Sequence, residues 1–228
     1  MSFEGTLLFL QLDIPFIIIK SYTEDLIMNW ILTPDKFLTE DEVDKLRKAC
    51  VDAADLARLK HQFKSIRDWM IIDLALQSGL RVGELSNLIL EDLYIEKGHS
   101  HIFVRQGKGN KSRLVTIGES LRKHLRHYLK ERKSQSPILF ASERSNHMTT
   151  SAIQKVVKKA MKLAGLPSHY SIHSLRHTYA TLLYKSSGNN LRLVQQQLGH
   201  SSVQTTTVYA NVMAEDVEIA VNGIIKES

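Results

Sequence analysis

From Thr39 to Leu198 the apolar residues recur at helical spacing in block after block, and one pair of short alternating runs, 100–106 and 112–117, interrupts the pattern. Helical blocks surrounding a single hairpin bury their apolar faces as a mostly helical α+β domain with one small antiparallel sheet. The first helix starts at Thr39. Thr39 and Glu42 have the spacing of a capping box, and Leu38 with Val43 that of a hydrophobic staple. A second helix is expected over 66–77, with Ile66, Trp69, Ile72 and Leu76 on one face and Gly79 as its stop. Another starts near Val82 or Gly83. Later blocks fall at 119–134, 150–164, 174–186 and 191–198, with Asn190 as an N-cap and Gly188 and Gly199 as C-terminal stops. Short helices near 203–209 and 214–222 complete the pattern. Gly107-Lys108-Gly109-Asn110-Lys111 joins the two alternating runs, which makes a β-hairpin with a basic tip.

Charge narrows the partner. The 228 residues carry a net charge of +6, distributed unevenly. Residues 1–60 hold seven Lys/Arg against eleven Asp/Glu, whereas 101–163 hold fifteen Lys/Arg against three Glu. A dense basic block suits a polyanion, nucleic acid first and an anionic membrane second, although a solvated lysine-rich face accounts for the same count. Cys50 is the single cysteine, which excludes an internal disulfide and a four-cysteine zinc site. The stretch from Leu7 to Ile19 is apolar but interrupted by Asp13 and Pro15, and it is shorter than the roughly 20 residues that span a bilayer. No basic region precedes it, so it does not read as a secretory signal. It is expected to be a packed segment or sequence foreign to the main domain. Residues 32–36 look like a linker, dividing an extension at 1–32 from a domain at 33–228. The expected location is the cytoplasm.

Five segments hold residues with chemistry. In Ser78-Gly79-Leu80-Arg81-Val82-Gly83-Glu84-Leu85, Arg81 stands at a helix junction with Glu84 three residues on, and a surface ion pair explains both. The hairpin tip, Gly107 to Arg113, lets backbone approach a phosphate. It is not a Walker loop, because Ile102 stands where that motif has its first glycine. In His173-Ser174-Leu175-Arg176-His177, the two histidines have the four-residue spacing of helical metal ligands, but Arg176 between them repels a cation. His173 and Arg176 share a helix face and together can hold a phosphate. Leu198-Gly199-His200-Ser201-Ser202 and Thr205-Thr206-Thr207-Val208-Tyr209 complete the set. The threonines suit caps or turns, and Tyr209 alone suits a core aromatic.

Taken together, "SGLRVGEL", "GKGNKSR", "HSLRHTYAT" and "LGHSSVQTTTVY", in that order, resemble the tyrosine recombinase family of phage-type integrases and Xer-like recombinases, over about Pro34 to Val217. The resemblance implies the catalytic-domain fold of that family and a site-specific DNA recombinase or integrase working through a 3′-phosphotyrosyl intermediate, as in integration and excision of a mobile element. It implies Tyr209 as nucleophile, and Arg81 and Arg176 as the clamp on the non-bridging phosphate oxygens. Lys108 becomes the general acid for the 5′-oxygen. His173 becomes a phosphate donor and acceptor of the tyrosine proton, and His200 a further phosphate ligand. Glu84 matches an acidic position that orients Arg81 or a neighbouring cation, and Lys111 and Arg113 become DNA contacts. Neither cofactor nor metal is implied, and the partner is double-stranded DNA. Type IB topoisomerases use similar chemistry without exchanging partners.

The resemblance departs at the N-terminus, where family members carry a helical DNA-binding domain and where only some thirty residues, apolar rather than basic, precede Leu32 here, so a complete domain of that kind is not expected. The expectation is therefore a short recombinase or, alternatively, a truncated DNA-binding remnant or modulator without recombination activity. Val217, Ala220, Val221 and Ile224 share one face of a short helix. The family implies that such a helix, at 214–224, docks on a neighbouring subunit of a DNA-bound homotetramer. Packing on its own domain is the alternative.

Overall fold

The computed structural model describes residues 34–105, 112–142 and 146–199. Seven helices and a three-stranded sheet occupy them: α1 (Glu40–Leu59), α2 (Phe63–Ser78), α3 (Val82–Asn87), β1 (Leu93–Tyr94), β2 (His101–Val104), β3 (Arg113–Thr116), α4 (Glu119–Glu131), α5 (Thr150–Leu163), α6 (Ile172–Ser186) and α7 (Leu191–Leu198). The expected helices near 203–209 and 214–222, and the hairpin tip at 107–111, lie outside the described residues. No described helix is long and apolar enough to cross a membrane.

α1 begins where its capping signals place it. Thr39 Oγ1 accepts from Glu42 N at 3.3 Å, and Glu42 Oε2 accepts from Thr39 N at 2.9 Å. Leu38 is buried beneath this cap, and Val43 packs on the same core. The Leu38 amide donates to Thr178 Oγ1 at 2.9 Å, tying the start of α1 to α6.

The centre of the molecule is α2. One apolar face was expected, but Met70, Ile71, Leu74 and Ala75 are buried as well as Ile66, Trp69, Ile72 and Leu76. A helix apolar all round is a helix enclosed all round, and α1, α4, α5 and α6 each pack against it. Buried Asp73 breaks this surface. It accepts from Gln77 Nε2 at 2.7 Å, lies 2.6 Å from His124 Nδ1 on α4 and pairs with Arg47 of α1 at 3.3 Å.

The sheet is antiparallel in the order β1-β2-β3, with Ile102 opposite Val115 and Val104 opposite Arg113. β1 was not anticipated. Two residues are too few to show alternation, and pairing with β2 alone defines the strand.

Part of the charge at 101–163 is turned to the protein's own backbone, while its described lysines are exposed. Arg126 donates through Nε and Nη2 to Ile95 O at 2.8 and 2.6 Å. Arg132 gathers the carbonyls of Ser136, Ile138 and Leu139 at 2.6, 2.7 and 3.2 Å. Arg122 pairs with Glu119 and donates to His99 O at 3.3 Å. These forks satisfy backbone carbonyls in loops without secondary structure, a use for which the planar guanidinium suits better than an ammonium.

Gly79 closes α2 in the left-handed region at φ +59°. A Cβ there would stand 2.3 Å from Tyr179 Cδ1 and 2.9 Å from Leu198 Cδ2. Gly79→Ala is therefore expected to destabilise by about 2–4 kcal/mol, from the left-handed backbone and the overpacking together. Gly83→Ala, with nothing within 4 Å of the added carbon, should be neutral or slightly stabilising. Urea unfolding of the two variants checks this, and equal midpoints would contradict it.

Candidate active site

The turn at Gly79 delivers Arg81 to the N-terminus of α3. Glu84, one turn along, accepts from the Arg81 amide at 2.8 Å and from Arg81 Nη1 at 3.0 Å. The same carboxylate receives Arg113 from β3 in a two-pronged contact, Nη1 to Oε1 at 2.7 Å and Nη2 to Oε2 at 2.9 Å. Burial pushes the Glu84 carboxyl up, but the hydrogen bonds and charge of Arg113, followed by those of Arg81, outweigh it and hold the group below its ordinary value. Arg113 Nε also donates to Gln197 O at 3.1 Å in the last turn of α7. Gly199 is close enough that a Cβ would sit 2.6 Å from Arg113 Cδ.

Arg113 was expected to contact DNA. The structure instead commits its guanidinium to Glu84 and Gln197, with 11% of the side chain exposed. Strand alternation holds the signal for this: Arg113 lies two residues before the buried Val115, on the inward face of β3.

Arg176 on α6 is 7% exposed. Its Nη1 donates to Gly79 O and its Nη2 to Leu198 O at 2.9 Å. Those carbonyls end α2 and α7, where helix dipoles concentrate partial negative charge. Among these contacts the cation is held by carbonyl dipoles, which do not neutralise its charge as a carboxylate would.

His173 lies one turn before Arg176, exposed at the start of α6, where its amide donates to the N-cap Ser171 Oγ at 3.2 Å. His177 faces inward. Burial first, then the charges of His173, Arg176 and Lys36, push it down to about 4, so it is neutral at physiological pH. Of the two histidines, His173 is thus exposed and His177 half-buried. No group of three or more His, Cys, Asp or Glu among the described residues could hold a metal ion.

Arg81, His173 and Arg176 line one cavity of about 790 Å³ together with Asp92, Phe103 and Arg105. Concave shape, two guanidinium groups and an imidazole suit an anion with several oxygens, because planar forks fix oxygen positions and transition-state charge meets pre-placed donors. Arg81, Glu84, Arg113, His173 and Arg176 are brought together. Lys108, Lys111, His200 and Tyr209 lie outside the described residues. In sequence, Lys108 and Lys111 fall between β2 and β3, and His200 follows Gly199. Asp92 and Arg105 belong to no motif in the sequence and are identified by the cavity alone.

The "Phage integrase family" model matches residues 36–216. Tyrosine recombinase XerA of Pyrococcus horikoshii is 38% identical over 189 residues, which cover 82% of this chain and 60% of that protein. The crystal structure of XerA recombinase superposes with a TM-score of 0.68 at 31% identity, covering 84% of this chain and 66% of that one. A structure of XerH site-specific recombinase bound to palindromic difH substrate, a post-cleavage complex, gives a TM-score of 0.67 at 27% identity, over 82% of this chain and 52% of that one. The chain spans about half to two thirds of the length of these relatives.

Replacing Glu84 by Gln leaves two guanidinium groups without their counter-charge, which is expected to cost about 3–5 kcal/mol at neutral pH. Because the folded-state pKa is depressed, the carboxylate's contribution is complete above the ordinary value of 4.5 and is lost as pH falls through the folded value. Urea unfolding of both proteins across acid pH should show the difference shrinking below 4.5. A constant difference throughout would contradict the assignment.

Proposed function

The chain belongs to the phage integrase family, and from that membership and the cationic cavity we propose that it is a site-specific recombinase, cutting and rejoining double-stranded DNA through a 3′-phosphotyrosyl intermediate. The observation that carries the reading is Arg176. Its buried guanidinium, seated on the ends of two helices, shares a cavity with Arg81 and His173.

In this reading residues 33–228 form the catalytic domain. A phosphodiester repels nucleophiles, so its cleavage requires charge stabilisation and positioning. Arg81 and Arg176 hold the non-bridging oxygens of the scissile phosphate, and Glu84 fixes the orientation of Arg81. Tyr209 Oη attacks phosphorus, forming the tyrosyl–phosphate bond as the bond to the 5′-oxygen breaks. A free tyrosine has a pKa near 10, so attack at neutral pH needs nearby cations and a base. His173 accepts the tyrosine proton, and Lys108 protonates the departing 5′-oxygen. His200 adds a donor to the phosphate, and Lys111 contacts the backbone from the hairpin tip. Ligation is the reverse reaction, and because the phosphotyrosyl bond conserves the energy of the broken one it needs no ATP. Neutralisation of charge by guanidinium and ammonium groups leaves no step that calls for a metal ion.

The same reading places the protein in the cytoplasm, acting on a mobile element. It works there as a DNA-bound homotetramer whose 214–224 helix docks on a neighbour.

Denaturing capture of protein–DNA adducts from expressing cells tests this. Tyrosine-dependent adducts at a discrete sequence are expected, and Tyr209→Phe should abolish them while leaving DNA binding largely intact. Wild-type adduct levels in Tyr209→Phe would reject the nucleophile, and no wild-type adducts at all would favour a DNA-binding remnant. Arg176→Ala should lower the cleavage rate by about 10²–10³ or more, the scale of losing a donor to transition-state charge. Cleavage should be unaffected by EDTA.

A further inference from the structure

The arginines of the basic block divide by exposure. Arg113, Arg122, Arg126 and Arg132 are half-buried and bind carboxylates or carbonyls. Arg105 is the exposed arginine of that block among the described residues, with 53% of its side chain accessible. It stands just beyond β2 on the rim of the cavity that holds Arg81, His173 and Arg176.

Its two ion pairs differ in kind. Nε donates to Asp92 Oδ1 at 2.7 Å, and Asp92 is 4% exposed, a buried anchor on the short helical turn Leu90–Asp92. Nη2 lies 3.5 Å from Glu91 Oε2, and Glu91 is 81% exposed. The first contact fixes the plane of the guanidinium. The second is a solvated pair of small energy, readily exchanged for another oxyanion.

Resting on the recombinase reading, we propose that Arg105 is a second phosphate-binding position, holding a DNA backbone phosphate beside the one that Arg81 and Arg176 take. Asp92 orients it. Glu91 occupies the place of the phosphate oxygens until DNA arrives. Pinning Nε leaves the two terminal nitrogens as the fork that meets the phosphate, and a pre-oriented fork loses less freedom on binding than a loose side chain. The cavity volume of about 790 Å³ accommodates more than a single phosphate group.

Binding of the full-length protein to a mixed-sequence DNA duplex, measured across a salt series, tests the inference, with thermal stability recorded for each variant. Arg105→Ala should weaken binding and make the slope of log affinity against log salt shallower by about 0.9, one phosphate contact. Arg105→Lys should keep the slope. Glu91→Gln should tighten binding, by up to about fivefold, because it removes a competing carboxylate. A purely structural tie between Arg105 and the turn predicts the reverse pattern: lower thermal stability in Arg105→Ala with the wild-type slope, and no gain in Glu91→Gln. That result would overturn the inference and leave the recombinase reading standing. A wild type that fails to bind duplex DNA would overturn both.

Discussion

The Glu84 carboxylate accepts from the Arg81 amide and guanidinium and from both terminal nitrogens of Arg113, so that one ionised group joins α3 to β3. Arg113 extends the connection to the last turn of α7 through Gln197 O. Neither α3, of six residues, nor β3, of four, is long enough to hold a side chain rigidly by itself. A carboxylate with 5% exposure between two guanidinium forks supplies what those short elements lack. Its desolvation is tolerated only because both forks reach it, so the elements that present them must keep their relative positions. The geometry of Arg81 is therefore a property of three segments far apart in sequence.

Arg176 solves a related problem with dipoles. A buried cation needs compensation. The Gly79 and Leu198 carbonyls, at the ends of two helices, supply part of it. Gly79, at φ +59°, has no room for a Cβ beside Tyr179 and Leu198. The helix stop and the seat of the arginine are thus one feature, and the sequence "SGLR" encodes a backbone shape as much as a side chain.

Local signals in the sequence carried most of the fold. The capping box at Thr39, the stop at Gly79 and the N-cap at Asn190 are each found in place, because each depends on neighbours within a few residues. α7 matches its expected span, and the hairpin strands pair as the alternation indicated. What remained hidden depended on distant partners. Enclosure of α2 on every side is set by four other helices, β1 exists only through β2, and Arg113 turned inward because Glu84 waits beneath the sheet. Within the site, motif order brought Arg81, Glu84, His173 and Arg176 into consideration, and the cavity brings them together. Asp92 and Arg105 had no motif to mark them.

A charge count treats lysine and arginine as equal contributors to a basic surface, and here they are not. Lys123, Lys130, Lys133, Lys155, Lys159 and Lys162 are exposed, whereas Arg113, Arg122, Arg126 and Arg132 are half-buried. The difference follows from chemistry. A guanidinium is weakly hydrated and offers five donors in a plane, so it can leave water for a cluster of carbonyls, while an ammonium keeps its hydration. Arg126 and Arg132 therefore stabilise the loops around Ile95 and Leu139 by donating to their carbonyls. In the block at 101–163 the internal demand is met mostly by arginine, and Lys158 shares it by donating to the Ser168 and Tyr170 carbonyls at 2.5 and 2.7 Å, while the other described lysines serve the external one. Arg126 and Arg132, whose contacts are carbonyls, still contribute their charge to the long-range field, whereas Arg113 and Arg122 are offset by Glu84 and Glu119. The cations still facing solvent are a different set, and among the described residues Arg105 stands there with the lysines.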